Sequence, residues 1–373
     1  MEMTDERRRK NKKATIYDIA KKTGTSTATV SRVLSSSGYP VKEETRKKIL
    51  KTAKELNYTP NIIGRMLKKN DSRDIGVIIP TISNPFYPQV VLGIEMEARQ
   101  KGYNILLCNS LRDPAIEKKY IETLYQKQVK GIIISSAGDN GNDEFLQEMQ
   151  WMGLRIITID HDIKGIGCGM VGFDYKKGGM IATEYLISCG HRNITFITSP
   201  LTRASRRDTM EGYRQALMNN GIEAREENIL VGEREEEYES AAYEFENGKM
   251  MVRKMLQLDE KPSAIFAVND MTALGAIQEL VNSGFDVPGD ISVIGFDNIE
   301  VSSMVNPPLT TVHQPAFETG KLAFGMLLES FEDPGANGGE DGHTWGDNNK
   351  NRNIIRNTIL EPSLVIRKSV AVI

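Results

Sequence analysis

The sequence predicts an all-α N-terminal domain followed by a larger α/β core of two lobes built on parallel sheets. Three observations predict it. At 373 residues the chain exceeds what one hydrophobic core usually organises. Near residue 70 its texture changes, from apolar residues at helical spacing to short continuous apolar runs separated by amphipathic stretches. Charge changes sign at the same place: of 47 Lys+Arg and 50 Asp+Glu, residues 1–70 hold 18 and 7, a net of +11, which leaves 29 and 43, a net of −14. A basic head on an acidic body suggests a nucleic-acid-facing module joined to something else.

The rest of the composition narrows the class. Hydrophobic residues at 39% and charged residues at 26% are ordinary values for a folded globular chain. Cys108, Cys168 and Cys189 have no metal spacing, and an odd number argues against a disulfide framework. His161, His191, His313 and His343 are scattered without metal spacing. The charged start, residues 1–13, lacks the apolar segment of a signal peptide, and no stretch approaches the ~18 apolar residues that span a bilayer. A cytoplasmic location, no membrane and no cofactor are therefore expected.

Within residues 14–60, Thr15 and Asp18 have capping-box spacing, and Ile16, Ile19, Ala20 and Thr23 share one face of a helix stopped by Gly24. Ser26 is a good N-cap for a second helix that buries Val30, Val33 and Leu34. Two short helices joined by a Gly-containing turn make a helix-turn-helix. A third segment, from about Lys42 to Asn57, offers Ile49, Ala53 and Leu56 to complete one small core.

In such a unit the second helix enters the major groove. Thr27, Ala28 and Arg32 project from its exposed face. Arg32 can donate two hydrogen bonds to a guanine, while Ala28 and the Thr27 methyl suit a thymine methyl. Tyr17, Ser26, Thr29 and Ser31 carry hydroxyls suited to phosphates, which position the protein without reading sequence.

Residues 61–72 form a hinge and linker, with Ile62, Ile63, Met66 and Leu67 at helical spacing. The segment is too short to be stable alone, since isolated helices below ~12 residues are marginal in water.

Residues 73–373 form the core. Apolar runs at 75–79, 104–107, 131–134 and 155–159, then at 194–197, 264–268 and 291–294, read as strands covered on both faces. A break at 160–190 divides two lobes. Ligands of such proteins bind beyond the carboxyl ends of strands, between the lobes. The candidates are Phe86 and Tyr87, Asp160, Asn269 and Asp270, and Asp297, with Arg207 on the helix after the 194–197 strand. Carboxylates, an amide and a guanidinium can grip vicinal hydroxyls, and aromatic faces can stack on a sugar ring. The alternative for Asp160, Asn269 and Asp297 is that they simply cap the loops they start. No phosphate loop, nicotinamide fingerprint or nucleophile elbow is present, so an enzyme is not expected.

The run Thr15-x-Tyr17-Asp18-Ile19-Ala20-x3-Gly24-x-Ser26-x2-Thr29-Val30-Ser31-Arg32-Val33-Leu34, then Glu44-Thr45-Arg46 and Leu56-Asn57-Tyr58-x-Pro60-Asn61, resembles the LacI/GalR family of repressors. Ala267-Val-Asn-Asp270, Ala273-Leu-Gly-Ala276, Asp290-Ile-Ser-Val-Ile-Gly-Phe-Asp297 and Pro308-Leu-Thr-Thr311 extend the resemblance over nearly the whole chain. It implies a helix-turn-helix headpiece on a periplasmic-binding-protein-like core. Thr27, Ala28 and Arg32 then read bases, Ser26, Thr29, Ser31 and Asn61 contact the DNA backbone, and Leu67 wedges into the minor groove. The same resemblance places effector contacts at Phe86, Asp160, Arg207, Asn269 and Asp297, and an aromatic one at Tyr243. Gly64 stands where the family usually has Ala, which implies a more easily melted hinge.

The family implies a repressor of carbohydrate uptake or utilisation genes, acting on a palindromic operator under a small sugar-like effector. The alternative is a global catabolite regulator controlled by a protein corepressor. No leucine heptads close the chain, so a homodimer is the expected assembly. Residues 334–352, rich in Gly and Asn, read as a surface-loop insertion.

Overall fold

A computed structural model of the protein describes residues 14–34, 39–56, 58, 72–136, 141–161, 163, 169–233, 243–332 and 357–373. Asn61, Gly64, Leu67, Cys168 and the 334–352 insertion lie outside them. The chain divides into two compact units, Met1–Asp71 and Ser72–Ile373.

The first unit holds α1 (Ile16–Thr23), α2 (Thr27–Leu34) and α3 (Glu43–Glu55). Thr15 caps α1 in a reciprocal box with Asp18, and Gly24 ends it at φ 69°, the left-handed conformation that glycine adopts freely. Ser26 Oγ accepts the Thr29 N–H at 3.1 Å at the start of α2. Helices this short are marginal alone, and what stabilises them is a shared core of Ile19, Ala20, Val30, Val33, Ile49 and Ala53. An exposed Lys22–Glu55 ion pair at 2.9 Å adds little beside it.

The second unit contains, in chain order, β1 (Asp74–Ile79), α4 (Phe86–Gln100), β2 (Asn104–Asn109), α5 (Pro114–Gln126), β3 (Gly131–Ser135), α6 (Asp143–Trp151), β4 (Arg155–Ile159) and β5 (Gly169–Phe173). There follow α7 (Tyr175–Ser188), β6 (Ile194–Thr198), α8 (Ala204–Asn219), β7 (Ile229–Val231), α9 (Tyr243–Met255), β8 (Ala264–Ala267), α10 (Asp270–Asn282) and β9 (Ser292–Asp297). Last come β10 (Thr310–His313), α11 (Ala316–Glu332), β11 (Asn357–Leu360) and β12 (Ser363–Val365).

Two 6-stranded sheets result, in the orders β11-β5-β4-β3-β1-β2 and β12-β10-β9-β8-β6-β7. All pairings are parallel except β10 with β12. The chain passes between the lobes after β5, after β10 and after β11, because α7 packs in the core of the second sheet, α11 returns to that of the first, and β12 joins the second.

Two expectations need correction. The stretch at 160–190 is not simply a break, because β5 within it pairs with β4 and β11 in the first sheet. Its sequence, Gly-Met-Val-Gly-Phe, carries two glycines, which lowers its strand signal. The strand at 104–107 is not covered on both faces, since β2 is an edge strand whose Leu107 is 46% exposed.

Glycines set the closeness of three helix pairs. A Cβ on Gly93 of α4 would stand 2.1 Å from the Phe317 carbonyl oxygen of α11, and one on Gly320 would meet the Val90 oxygen at 2.0 Å. Gly179 and Gly212 bring α7 and α8 together in the same reciprocal way, at 2.2 and 2.1 Å from backbone oxygens. Gly248 and Gly275 do so for α9 and α10. A side chain here must push two helices apart. Gly179→Ala is expected to cost about 1–3 kcal/mol, the usual range for overpacking. Gly325→Ala on α11, where an added Cβ meets nothing within 4 Å, is expected to gain about 0.5–1 kcal/mol from helix propensity. Urea denaturation of the two variants tests the contrast.

Candidate functional site

In each sheet the strand order reverses, between β1 and β3 in the first and between β6 and β8 in the second. Crevices at such points, beyond the carboxyl ends of the strands, are where open α/β sheets hold ligands. A cavity of about 70 Å³ lies there.

The first lobe contributes Asn84, Phe86 and Tyr87 from the β1–α4 junction and Arg112 after β2. From the β6–α8 junction come Arg203, Ser205 and Arg206. Glu244 at the start of α9, Asn269 at the cap of α10, and Phe296 and Asp297 at the end of β9 complete the second lobe's share. Tyr175 and Gln314 line the cavity beside two of the crossovers.

Polar contacts join the lobes across this space. Glu244 accepts from Asn84 Nδ2 at 2.8 Å and pairs with the Arg112 guanidinium at 3.4 Å, both side chains being almost fully buried. Arg203 Nη1 donates to the Tyr87 hydroxyl at 3.4 Å. Near the crossovers, the Tyr175 hydroxyl donates to Asp160 at 2.6 Å and receives Gln314 Nε2 at 2.8 Å. Aromatic faces border the polar groups, with Phe86 edge-on to Tyr87 at 5.3 Å and Tyr175 stacked on Phe296 at 6.0 Å.

Backbone conformation marks the same residues. Arg112, Asp160 and Asp297 have φ of 58°, 57° and 105°, values uncommon outside glycine. Each costs of order 1–3 kcal/mol and persists only where the surroundings over-determine it, as functional sites tend to do.

Of the effector residues expected from the sequence, Phe86, Tyr87, Asn269 and Asp297 line the cavity. Asp160 stands one hydrogen bond behind it, through Tyr175 and Gln314. Arg207 is exposed and donates to the Leu201 carbonyl at 3.0 Å. Successive helical residues point about 100° apart, so only one of Arg206 and Arg207 can face the cleft, and it is Arg206, 6% exposed. Tyr243 opens α9, but its neighbour Glu244 lines the cavity. Asp270 is fully buried, accepting from the Thr311 hydroxyl and the Ile299 N–H, and serves the fold below the cleft.

The sequence reading did not select Asn84, Arg112, Tyr175, Arg203, Arg206, Glu244 or Gln314. The rule that residues after strand ends line the cleft finds Arg112 once β2 is extended to Asn109, Tyr175 once β5 is recognised, and Gln314 once β10 is.

Burial dominates the electrostatics. It pushes Asp160 up to about 6, against the hydrogen bonds from Tyr175, the Phe173 backbone and Gln314, and Asp270 up to about 7, against those from Thr311 and Ile299. Burial, then the charges of Asp270, Glu244 and Asp160, holds Asp297 well above the carboxylate range. Burial and the neighbouring Arg203 bring Arg112 down to about 9.

A carboxyl with a raised folded pKa binds its proton more tightly folded than unfolded. Its contribution is therefore present at low pH and is lost as pH rises from about 4, the unfolded value, through the folded one. In Asp270→Asn the amide can donate to Thr311 and its oxygen can accept from Ile299. Relative to wild type, this variant is expected to gain stability from pH 4 to 7 at up to about 1.4 kcal/mol per pH unit. Denaturant titrations at several pH values check the sign.

In the headpiece, Tyr17 is 71% exposed. Ser26, Ala28 and Arg32 are exposed, and Thr27, Thr29 and Ser31 are half-buried. The Ser26 and Thr29 hydroxyls hydrogen-bond each other at 2.9 Å, and the Arg32 guanidinium lies over the Tyr39 ring at 4.1 Å. The first turn of α2 carries no acidic residue, which leaves its positive dipole end open to an anion.

A two-lobed α/β binding domain in a chain that also carries a helix-turn-helix defines the class. The sequence matches the model of bacterial regulatory proteins of the lacI family over residues 15–61. It matches that of periplasmic binding proteins and sugar-binding domains of the LacI family over residues 72–367. The chain belongs to the LacI family, and it is a DNA-binding transcriptional repressor of that family.

Similar proteins include the catabolite control protein A of Priestia megaterium, 37% identical over 320 residues, 84% of this chain and 92% of that protein. The ribose operon repressor of Escherichia coli is 34% identical over 321 residues, 86% and 94% of the two chains. A PurR transcriptional repressor of Aliivibrio salmonicida is 34% identical, covering 86% and 93%. Among solved structures, the lac repressor dimer bound to operator and the anti-inducer ONPF superposes with a TM-score of 0.77 at 27% identity, covering 96% and 100%. The CelR–cellobiose complex gives 0.66 at 25%, covering 95% and 99%. No helix among the described residues is long and apolar enough to cross a membrane.

Proposed function

We propose that the protein represses carbohydrate uptake or utilisation genes by binding a palindromic operator as a homodimer, and that a sugar-like effector held between the lobes changes its operator affinity. It is a regulator rather than an enzyme, and it acts in the cytoplasm, where the DNA is. The observation that carries the reading is the cleft, where Asn269 and Asp297 line one cavity together with Phe86 and Tyr87. An amide and a carboxyl suit hydroxyls in pairs, and the rings suit the apolar face of a sugar.

Thr27, Ala28 and Arg32 read bases in this account, while Tyr17, Ser26, Thr29 and Ser31 face phosphates. Asn61 and Leu67 supply the backbone and minor-groove contacts that the resemblance implies. Effector control requires a ligand that binds the two lobe arrangements with different affinity. Glu244, Asn84, Arg112, Arg203 and Tyr87 give one of those arrangements its interlobe bonds.

Thermal-shift screening of sugars, followed by operator titration of the hits, tests the proposal. At least one compound is expected to raise the melting temperature of the core and to change operator affinity. If no sugar changes operator affinity and a protein captured from lysate does, control by a protein corepressor replaces the small-molecule reading.

A further inference from the structure

Carboxyl groups from the two lobes meet where the lobes join. Asp160 follows β4 of the first lobe, and its carboxyl receives the Tyr175 hydroxyl at 2.6 Å and Gln314 Nε2 at 3.5 Å, from the start of α7 and the end of β10. Asp297 ends β9 of the second lobe and lines the cavity. Its carbonyl accepts the Gln314 N–H at 3.3 Å, so Gln314, 3% exposed, links the two aspartates. Both have backbones at positive φ, 57° and 105°, a strain that persists only where the surroundings over-determine it.

Burial and like charge favour the protonated forms. Around Asp160 the hydroxyl of Tyr175, the Phe173 N–H and the Gln314 amide all donate, yet burial outweighs them and pushes the carboxyl up to about 6. On Asp297 burial is joined by the charges of Asp270 on α10, Glu244 on α9 and Asp160 itself, each of which disfavours a carboxylate. The cations of the same cavity, Arg112, Arg203 and Arg206, are not among the influences on either aspartate. Arg112 faces Glu244 at 3.4 Å, Arg203 the Tyr87 hydroxyl of α4 at 3.4 Å, and Arg206 the Pro200 carbonyl at 2.8 Å. His161 is paired with Asp143 of α6 at 2.8 Å, and His313 with Asn298 at 3.1 Å, each within its own lobe.

Parting the lobes returns Asp160 and Asp297 to water and separates their charges, which moves both toward the ordinary carboxyl value near 4. The lobes together therefore bind protons more tightly than the lobes apart. An arrangement that binds a proton more tightly is favoured as pH falls, by up to about tenfold per pH unit for each proton taken up. For Asp160 that window runs from about 6 down to about 4.

We propose that closing of the lobes is coupled to proton uptake by Asp160 and Asp297, so that a fall in pH favours the closed cleft. The inference rests on the cleft reading above and adds the proton as a second ligand of the same site. Any effector that binds the closed arrangement then binds more tightly in acid, by linkage.

Pulsed electron paramagnetic resonance tests the coupling. The full chain carries spin labels at Trp151→Cys on α6 and Met218→Cys on α8, sites 84% and 64% exposed on the first and second lobes. Cys108, Cys168 and Cys189 are replaced by Ala, and the labelled protein is diluted in unlabelled protein so that only distances within one chain are read. As pH falls from 8 to 5, one distance component is expected to grow at the expense of another. In the double variant Asp160→Asn, Asp297→Asn, where neutral amides stand in for protonated carboxyls, the low-pH component is expected to dominate at every pH. Small-angle X-ray scattering of the chain with its native cysteines reads the same change as a fall in radius of gyration.

A distance distribution and a radius of gyration that ignore pH overturn the coupling. If ribose, glucose or cellobiose still shifts them, the sugar cleft stands; if these sugars do not, the failure extends to the cleft reading. A pH response that the double variant keeps also overturns the coupling, and assigns the proton to another group such as Asp270 or His161.

Discussion

Glu244→Ala is expected to destabilise the core by about 3–5 kcal/mol, the cost of breaking a buried ion pair by removing one partner. The carboxylate faces the Arg112 guanidinium at 3.4 Å and receives the Asn84 amide at 2.8 Å. Its loss takes the carboxylate from the Arg112 guanidinium and the acceptor from the Asn84 amide. Glu244→Gln, which keeps an oxygen for Asn84, should cost less. Urea denaturation measures both. A change under 1 kcal/mol in Glu244→Ala would show that the arginines are already neutralised by other means.

Arg32→Ala is expected to cost about 1–3 kcal/mol on the preferred DNA site and to relax preference at one base pair, because a bidentate guanine contact is worth that much. Its guanidinium now rests over Tyr39, a cation–π contact of roughly 0.5–1 kcal/mol at an exposed site, so docking exchanges a weak partner for a stronger one. Replacing an exposed cation with no assigned base contact, such as Lys47 on α3, should instead weaken all sequences alike and lower the salt slope. Binding measured on specific and random duplexes at several salt concentrations separates the cases. Equal loss on both for Arg32→Ala would remove its base-reading role.

Legibility differed between the units for physical reasons. In the headpiece every determinant is local. Thr15 and Asp18 lie three residues apart, Gly24 ends its helix by its own conformation, and Ile19, Val30 and Ile49 follow helical spacing, so the structure follows the sequence closely. In the core, strongly apolar runs such as Ile75–Ile79 stood out. Gly-rich β5 and the three-residue β7 did not, because their strand identity comes from neighbours in the sheet.

The cleft was half legible. Phe86, Asn269 and Asp297 follow strands that the sequence shows plainly. Glu244 follows no visible strand, and its place was masked by the acidic run beside it. Choosing Arg206 over Arg207 depends on the rotation of α8 about its axis, which neither residue type nor spacing from Gly212 fixes. The reciprocal glycines were present in the sequence, but their pairing across helices is a tertiary fact.

The central claim is that occupancy of the cleft changes affinity for DNA. Its most direct test uses a fluorescent duplex selected by the full chain from a randomised pool. Binding is followed by anisotropy at fixed salt, with and without a saturating amount of the ligand that most stabilises the core. The account predicts a change of about tenfold, a coupling of roughly 1.4 kcal/mol, that is abolished by Asn269→Ala. Unchanged DNA affinity at full occupancy of the cleft would contradict it.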